Sequence, residues 1–154
     1  MQRRVFLKGT LAGSAVAVAA GAGLLAPQAV LAEWPKGAFE ADSMDAVLQN
    51  LYQGAGTEQS GDIEITAPDI AENGAVVPVT INTGIANPES IAIIVEKNDS
   101  PLAGKFDLSA NAEGFVATRI KMARTSDVVA VVQSNGKLHT ARREVKVTIG
   151  GCGG

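Results

Sequence analysis

Few residues of this chain could do chemistry, and the one with the sharpest setting is Cys152. It is the only cysteine among 154 residues and stands inside Gly150-Gly151-Cys152-Gly153-Gly154. Glycine lacks a Cβ and samples both halves of φ space, so fixing such a run costs much entropy. Chain ends also fray unless something ties them down. The sequence therefore predicts a flexible arm over Gly150, Gly151, Gly153 and Gly154 that carries a thiol. Extended, it places the sulfur roughly 10 Å beyond the last anchored strand. No histidine or helix N-terminus stands close by in sequence to activate Cys152, so its thiol is expected near the usual value of about 8.5. A mobile arm does not hold groups to the fraction of an ångström that catalysis needs. Cys152 is thus expected to be a covalent attachment point, with no catalytic residue in the chain. The glycines allow extension and are narrow enough to thread a channel in another protein.

The other candidates are weaker. One histidine, His139, and one cysteine give no pair at metal-ligand spacing, so no metal and no cofactor is expected. His139 follows a hairpin signal, where a surface histidine is ordinary. No glycine-rich loop joins a strand to a helix, so nothing supports phosphate binding. Arg142, Arg143 and Lys146 form a basic cluster near the arm. It reads as a solvated strand face, or else as a holder for an anion or partner beside the thiol.

The chain begins with what reads as an export signal. Arg3-Arg4-Val5-Phe6-Leu7-Lys8 resembles the twin-arginine motif, although Gln2 stands where Ser or Thr is usual. An Ala/Gly-rich apolar stretch from about Leu11 to Ala26 follows, then Pro27 and the small-residue site Val30-Leu31-Ala32. Residues 1–32 are read as a twin-arginine signal peptide, with the mature chain starting at Glu33 in the periplasm and no membrane attachment after cleavage. That peptide holds Arg3, Arg4 and Lys8 and no acid, so 16 acidic residues then face ten basic ones, a net of −6. Such a balance argues against nucleic acid as a partner. In an exporting compartment a lone cysteine has no partner in its own chain, which leaves a free thiol, an intermolecular bridge or an attachment point.

Residues 33–149 read as one domain that must position the arm. Met44, Val47, Leu48, Leu51 and Tyr52 recur at helical spacing, with Asp42 or Ser43 as cap and Gly54 as stop. The expected role of this helix is to cover one end of a sheet. After Gly61 the apolar period becomes two. Runs at Ile63–Ile65, Val77–Ile81, Ile91–Val95, Lys105–Leu108, Phe115–Met122, Asp127–Gln133 and Leu138–Ile149 give about seven strands. Pro78 predicts an edge strand or a bulge. Ile91–Val95 is apolar on both faces, and Asp127–Gln133 is almost all valine and reads as central. Asn135-Gly136 suits a type I′ hairpin. Closely spaced strands without crossover helices favour an immunoglobulin-like antiparallel β-sandwich with one N-terminal helix and the arm over 150–154.

These features together carry a resemblance. The export signal, the helix, the run from Ile65 to Val79 with Ala67-Pro68-Asp69-Ile70-Ala71-Glu72-Asn73-Gly74, and the final Gly-Gly-Cys-Gly-Gly look like the SoxY family. This family comprises the sulfur carriers of the periplasmic thiosulfate-oxidising system. The resemblance spans essentially the whole chain. It implies an immunoglobulin-like domain that forms a heterodimer with SoxZ. It implies that Cys152 takes up thiosulfate as a cysteine S-thiosulfonate, joined oxidatively by the c-type cytochrome SoxAX. The hydrolase SoxB then releases sulfate, and in systems that have it a sulfane dehydrogenase oxidises the remaining sulfur. Haem and metals belong to those partners. A competing expectation is an exported β-sandwich interaction module whose Cys152 only makes an intermolecular disulfide.

Overall fold

The computed structural model describes residues 34–151. The expected signal peptide, its cleavage point before Glu33, and Cys152, Gly153 and Gly154 lie outside the described residues. Among the described residues no helix is long and apolar enough to cross a membrane.

Among the described residues two short helices come first. Helix α1 spans Lys36–Phe39 and α2 spans Met44–Tyr52. Lys36–Phe39 forms a turn of helix although it carries no apolar periodicity in the sequence. In α2, the Ser43 Oγ accepts from the Ala46 N–H at 3.3 Å, and Asp45 sits in the first turn where a negative charge is favourable. Gln53 closes the helix in the left-handed region at φ 56°, and Gly54 follows at φ 72°.

Nine strands follow: β1 Thr57–Gln59, β2 Ile63–Thr66, β3 Ile70–Ala71, β4 Val77–Thr83, β5 Pro88–Val95, β6 Leu102–Asp107, β7 Phe115–Ile120, β8 Ser126–Ser134 and β9 Lys137–Val147. The larger sheet runs β1-β9-β8-β5-β6, with β3 also on β9, and the smaller runs β2-β4-β7. The seven expected strands are all present. The two additions, β1 and β3, pair parallel with β9. Each has at most three residues, too short for an alternation to register. The β-sandwich expected from the sequence is present, with a mixed larger sheet.

Two apolar clusters lie on the two faces of the larger sheet. Ile91, Ile93 and Val95 of β5 join Val128, Ala130 and Val132 of β8 against Val77, Val79 and Ile81 of the smaller sheet. Ala92, Ile94, Val129 and Val131 pack on the opposite face with Ala38, Val47, Leu48 and Tyr52. The helix stripe therefore covers a face of the sheet, not one end of it. The reason lies in β5 and β8, which are apolar at every position from Ile91 to Val95 and from Val128 to Val132 and so bury both faces.

Pro78 is a correction of a different kind. Its strand β4 is the middle strand of the smaller sheet, not an edge. Yet β2 ends at Thr66, opposite Thr80, so beside Pro78 only β7 is paired. The missing N–H falls where the strand is locally an edge. The hairpin at Asn135-Gly136 has φ 50° and 72°, both positive as a type I′ turn requires.

Candidate functional site

Strand β9 delivers the chain to the arm, and the structure places the root of that arm against the body. At the strand's end β3 pairs with it, Ile70 opposite Lys146 and Ala71 opposite Val147. The Thr148 N–H then donates to the Ala71 carbonyl at 3.1 Å, and its hydroxyl donates to the Glu72 carbonyl at 3.0 Å. Thus the chain after β3 runs alongside the chain after β9.

Beyond this point three backbone segments meet. The Gly74 N–H donates to the Ile149 carbonyl at 2.7 Å, the Met122 N–H to the Gly74 carbonyl at 2.7 Å, and the Gly151 N–H to the Met122 carbonyl at 2.9 Å. The loop around Gly74, the stretch after β7 and the start of the arm are stitched in one relay. A Cβ on Gly74 would lie 2.1 Å from the Met122 oxygen, and one on Gly150 would lie 2.0 Å from the Ala123 oxygen. One on Gly151 would lie 2.8 Å from the Gly74 oxygen. These glycines allow backbone to approach backbone, a role separate from flexibility.

The sequence led to an arm free from Gly150 onward. Instead, Gly151 is buried and hydrogen-bonded, and Gly150, though exposed, abuts Ala123. The described part of the arm is docked. Among the described residues, three of the five exposed large hydrophobic ones, Ile70, Val76 and Ile149, belong to the segments that frame this junction.

The floor of the junction is held by a polar residue just after β5. Asn98, 6% exposed, donates from its amide to the Lys121 carbonyl at 2.8 Å and accepts from the Ala123 N–H at 2.9 Å. Met122, fully buried, is thereby fixed between two tethered neighbours. On the other side the Asn73 carboxamide oxygen accepts from the Ala75 N–H at 2.9 Å, bending the loop around Gly74. Asn73-Gly74 is a recognisable turn dipeptide, but nothing in the chain says what such a turn will touch.

The basic cluster resolves into ion pairs. Arg142 pairs with Glu96 and with Asp127, and Arg143 pairs with Asp69 at 2.7 Å. Much of that positive charge faces fixed carboxylates, which fits the solvated strand face. His139 lies within β9, opposite Val132 and Glu58, and is partly exposed. Among the described residues no three His, Cys, Asp or Glu side chains converge as a metal site would require. Away from the arm, burial raises the Tyr52 hydroxyl above its ordinary 10.0; its hydrogen bond with Ser90 opposes this and nearby Asp107 adds to it.

A family model described as "Sulfur oxidation protein SoxY" matches residues 48–152, a span that runs from α2 through the junction to Cys152. Among solved structures, the sulfur carrier protein SoxY from Chlorobium limicola f thiosulfatophilum is 42% identical, with a TM-score of 0.64, over 70% of this chain and 97% of that one. Superoxide reductase (neelaredoxin) from Ignicoccus hospitalis is 22% identical with a TM-score of 0.49, over 55% of this chain and 79% of that one, a likeness too slight to bear on function. No curated protein matches the sequence.

Proposed function

This chain belongs to the SoxY family, and on that premise we propose that Cys152 is the covalent attachment point of a sulfur carrier that works in the periplasm. The observation that carries the proposal is the match extending to Cys152 itself, at the end of an arm whose root the domain holds. The loading step joins the thiolate of Cys152 to the outer sulfur of thiosulfate as Cys–S–S–SO₃⁻. That sulfur–sulfur bond releases two electrons, which pass to a c-type cytochrome partner of the SoxAX kind. Water then splits the terminal S–S bond at a hydrolase of the SoxB kind, releasing sulfate and two protons and leaving a persulfide on Cys152. A sulfane dehydrogenase, where present, would take that sulfur further.

The domain has a division of labour suited to this. It presents Ile70, Val76 and Ile149 around the root of the arm. Exposed apolar residues in such a place suit contact with other proteins. SoxZ is proposed as the standing heterodimer partner, and the enzymes as transient ones. Export by the twin-arginine route would place the domain among them.

Intact-mass measurement of protein from cells given thiosulfate tests this reading. The expected result is a reductant-sensitive mass gain confined to the C-terminal peptide and abolished in Cys152→Ser. Two chains joined through Cys152, with no thiosulfate-dependent gain, would instead establish the disulfide-linked interaction module.

A further inference from the structure

We propose that Gly74 is a positioning residue for the Cys152 thiol: with Gly150 and Gly151 it closes a backbone latch that fixes the chain as far as Gly151, the residue before the cysteine. The inference rests on the reading of Cys152 as the loaded residue.

The relay of three hydrogen bonds uses no side chain. Gly74 occupies its centre, donating to Ile149 and accepting from Met122. Its missing Cβ is what lets the Met122 oxygen come in, and Gly151 packs on the same turn, its absent Cβ facing the Gly74 oxygen and Ala75. Ile149, 68% exposed, contributes little apolar anchoring. From Ile149 onward the chain is held by backbone hydrogen bonding that a side chain at these three positions would push apart. Asn73 and Asn98 shape the two walls from outside.

The closed latch shortens the leash. From Ile149 the sulfur could reach roughly 10 Å, whereas from Gly151 one residue offers only about 3.5 Å. A partner enzyme must then bring its own surface down to the junction, where Ile70, Val76 and Ile149 stand exposed.

Two readouts on the full-length protein test this without requiring a loaded thiol, so failure of the carrier reading and failure of the latch are separable. The first is the exchange rate of the Gly151 amide by NMR. It is expected to be slower than that of an unstructured glycine by at least about fivefold, the ratio that one net backbone hydrogen bond gives. The second is the line shape of a nitroxide attached to Cys152. Gly74→Ala and Gly150→Ala should restore free exchange at Gly151 and narrow the nitroxide spectrum. Gly61→Ala, where a Cβ meets open space, should change neither. If Gly74→Ala does not fold, as loss of amide protection in β8 would reveal, Gly150→Ala decides, since Gly150 lies outside the strands and the core. Free exchange at Gly151 in the unaltered protein would overturn the latch, as would both readouts staying unchanged in Gly150→Ala.

Discussion

Strand β8 and the arm junction are both buried, yet they are held in opposite ways. Val128 to Val132 are fully buried, pressed by side chains from the helices on one face and from the smaller sheet on the other. Gly74 and Gly151 are buried with no side chains at all, and hydrogen bonds between carbonyls and amides do the holding. Side-chain packing stabilises a fold by several kcal/mol per large residue and tolerates little change. A backbone junction contributes little to global stability and is sensitive to a single methyl group.

Substitutions can break or sharpen that contrast. The largest effect is expected in the core: Ile93→Ala and Ile94→Ala should each destabilise by about 2–5 kcal/mol in chemical denaturation. They point to opposite faces of the larger sheet. A much smaller loss for Ile94→Ala would show that the helix layer is not core in the same sense. Next comes Asn98→Ala, expected to cost about 1–3 kcal/mol because it orphans the Ala123 N–H and the Lys121 carbonyl. It should also speed amide exchange at Gly151, linking the two regions; exchange unaltered there would separate them.

Tyr52→Phe removes one hydrogen bond to Ser90 and should cost about 1 kcal/mol at neutral pH. Its pH dependence has a definite sign. The folded protein holds the hydroxyl neutral to higher pH than the unfolded chain does, since burial raises it above 10.0. The unfolded chain therefore loses the proton first, and stability drains as pH rises from about 10 towards the folded value. Alkaline melting curves should show a steeper fall for the native protein than for Tyr52→Phe, and equal slopes would count against a buried hydroxyl. The smallest effect on stability is expected for Gly150→Ala, within about 0.5 kcal/mol, despite its effect on the arm. A large loss there would make the junction part of the core and erase the contrast.

How much of this was legible depends on which kind of holding is at work. Burial by side chains leaves a pattern: the double-faced runs Ile91–Val95 and Asp127–Gln133 announce central strands, and the stripe in α2 announces a packed helix. Asn135-Gly136 announces its turn through φ values few residues accept. Partnering between distant backbones leaves almost none. Gly74, Gly150 and Gly151 look like flexibility when read alone, because a missing Cβ is the same whether space or another chain fills its place. Asn98 sits in a polar cluster that reads as a surface turn, and only the fold reveals that it faces Lys121 and Ala123. The expectation for Pro78 erred because a strand can be central in its sheet and still lack a neighbour beside one residue.

The short strands on β9 have a consequence for association. β1 covers that strand's outer side at Leu138–Thr140 and β3 covers it at Lys146–Val147, leaving Ala141 to Val145 between them. That interval carries Arg142, Arg143 and Glu144. A second chain seeking to extend the sheet finds no continuous row of amides and carbonyls there, and meets charge where it would need to lie flat. Interrupted, charged borders of this sort discourage sheet-to-sheet aggregation. A border closed to indiscriminate strand addition leaves β9 as an inner strand of this sheet rather than a template for another chain.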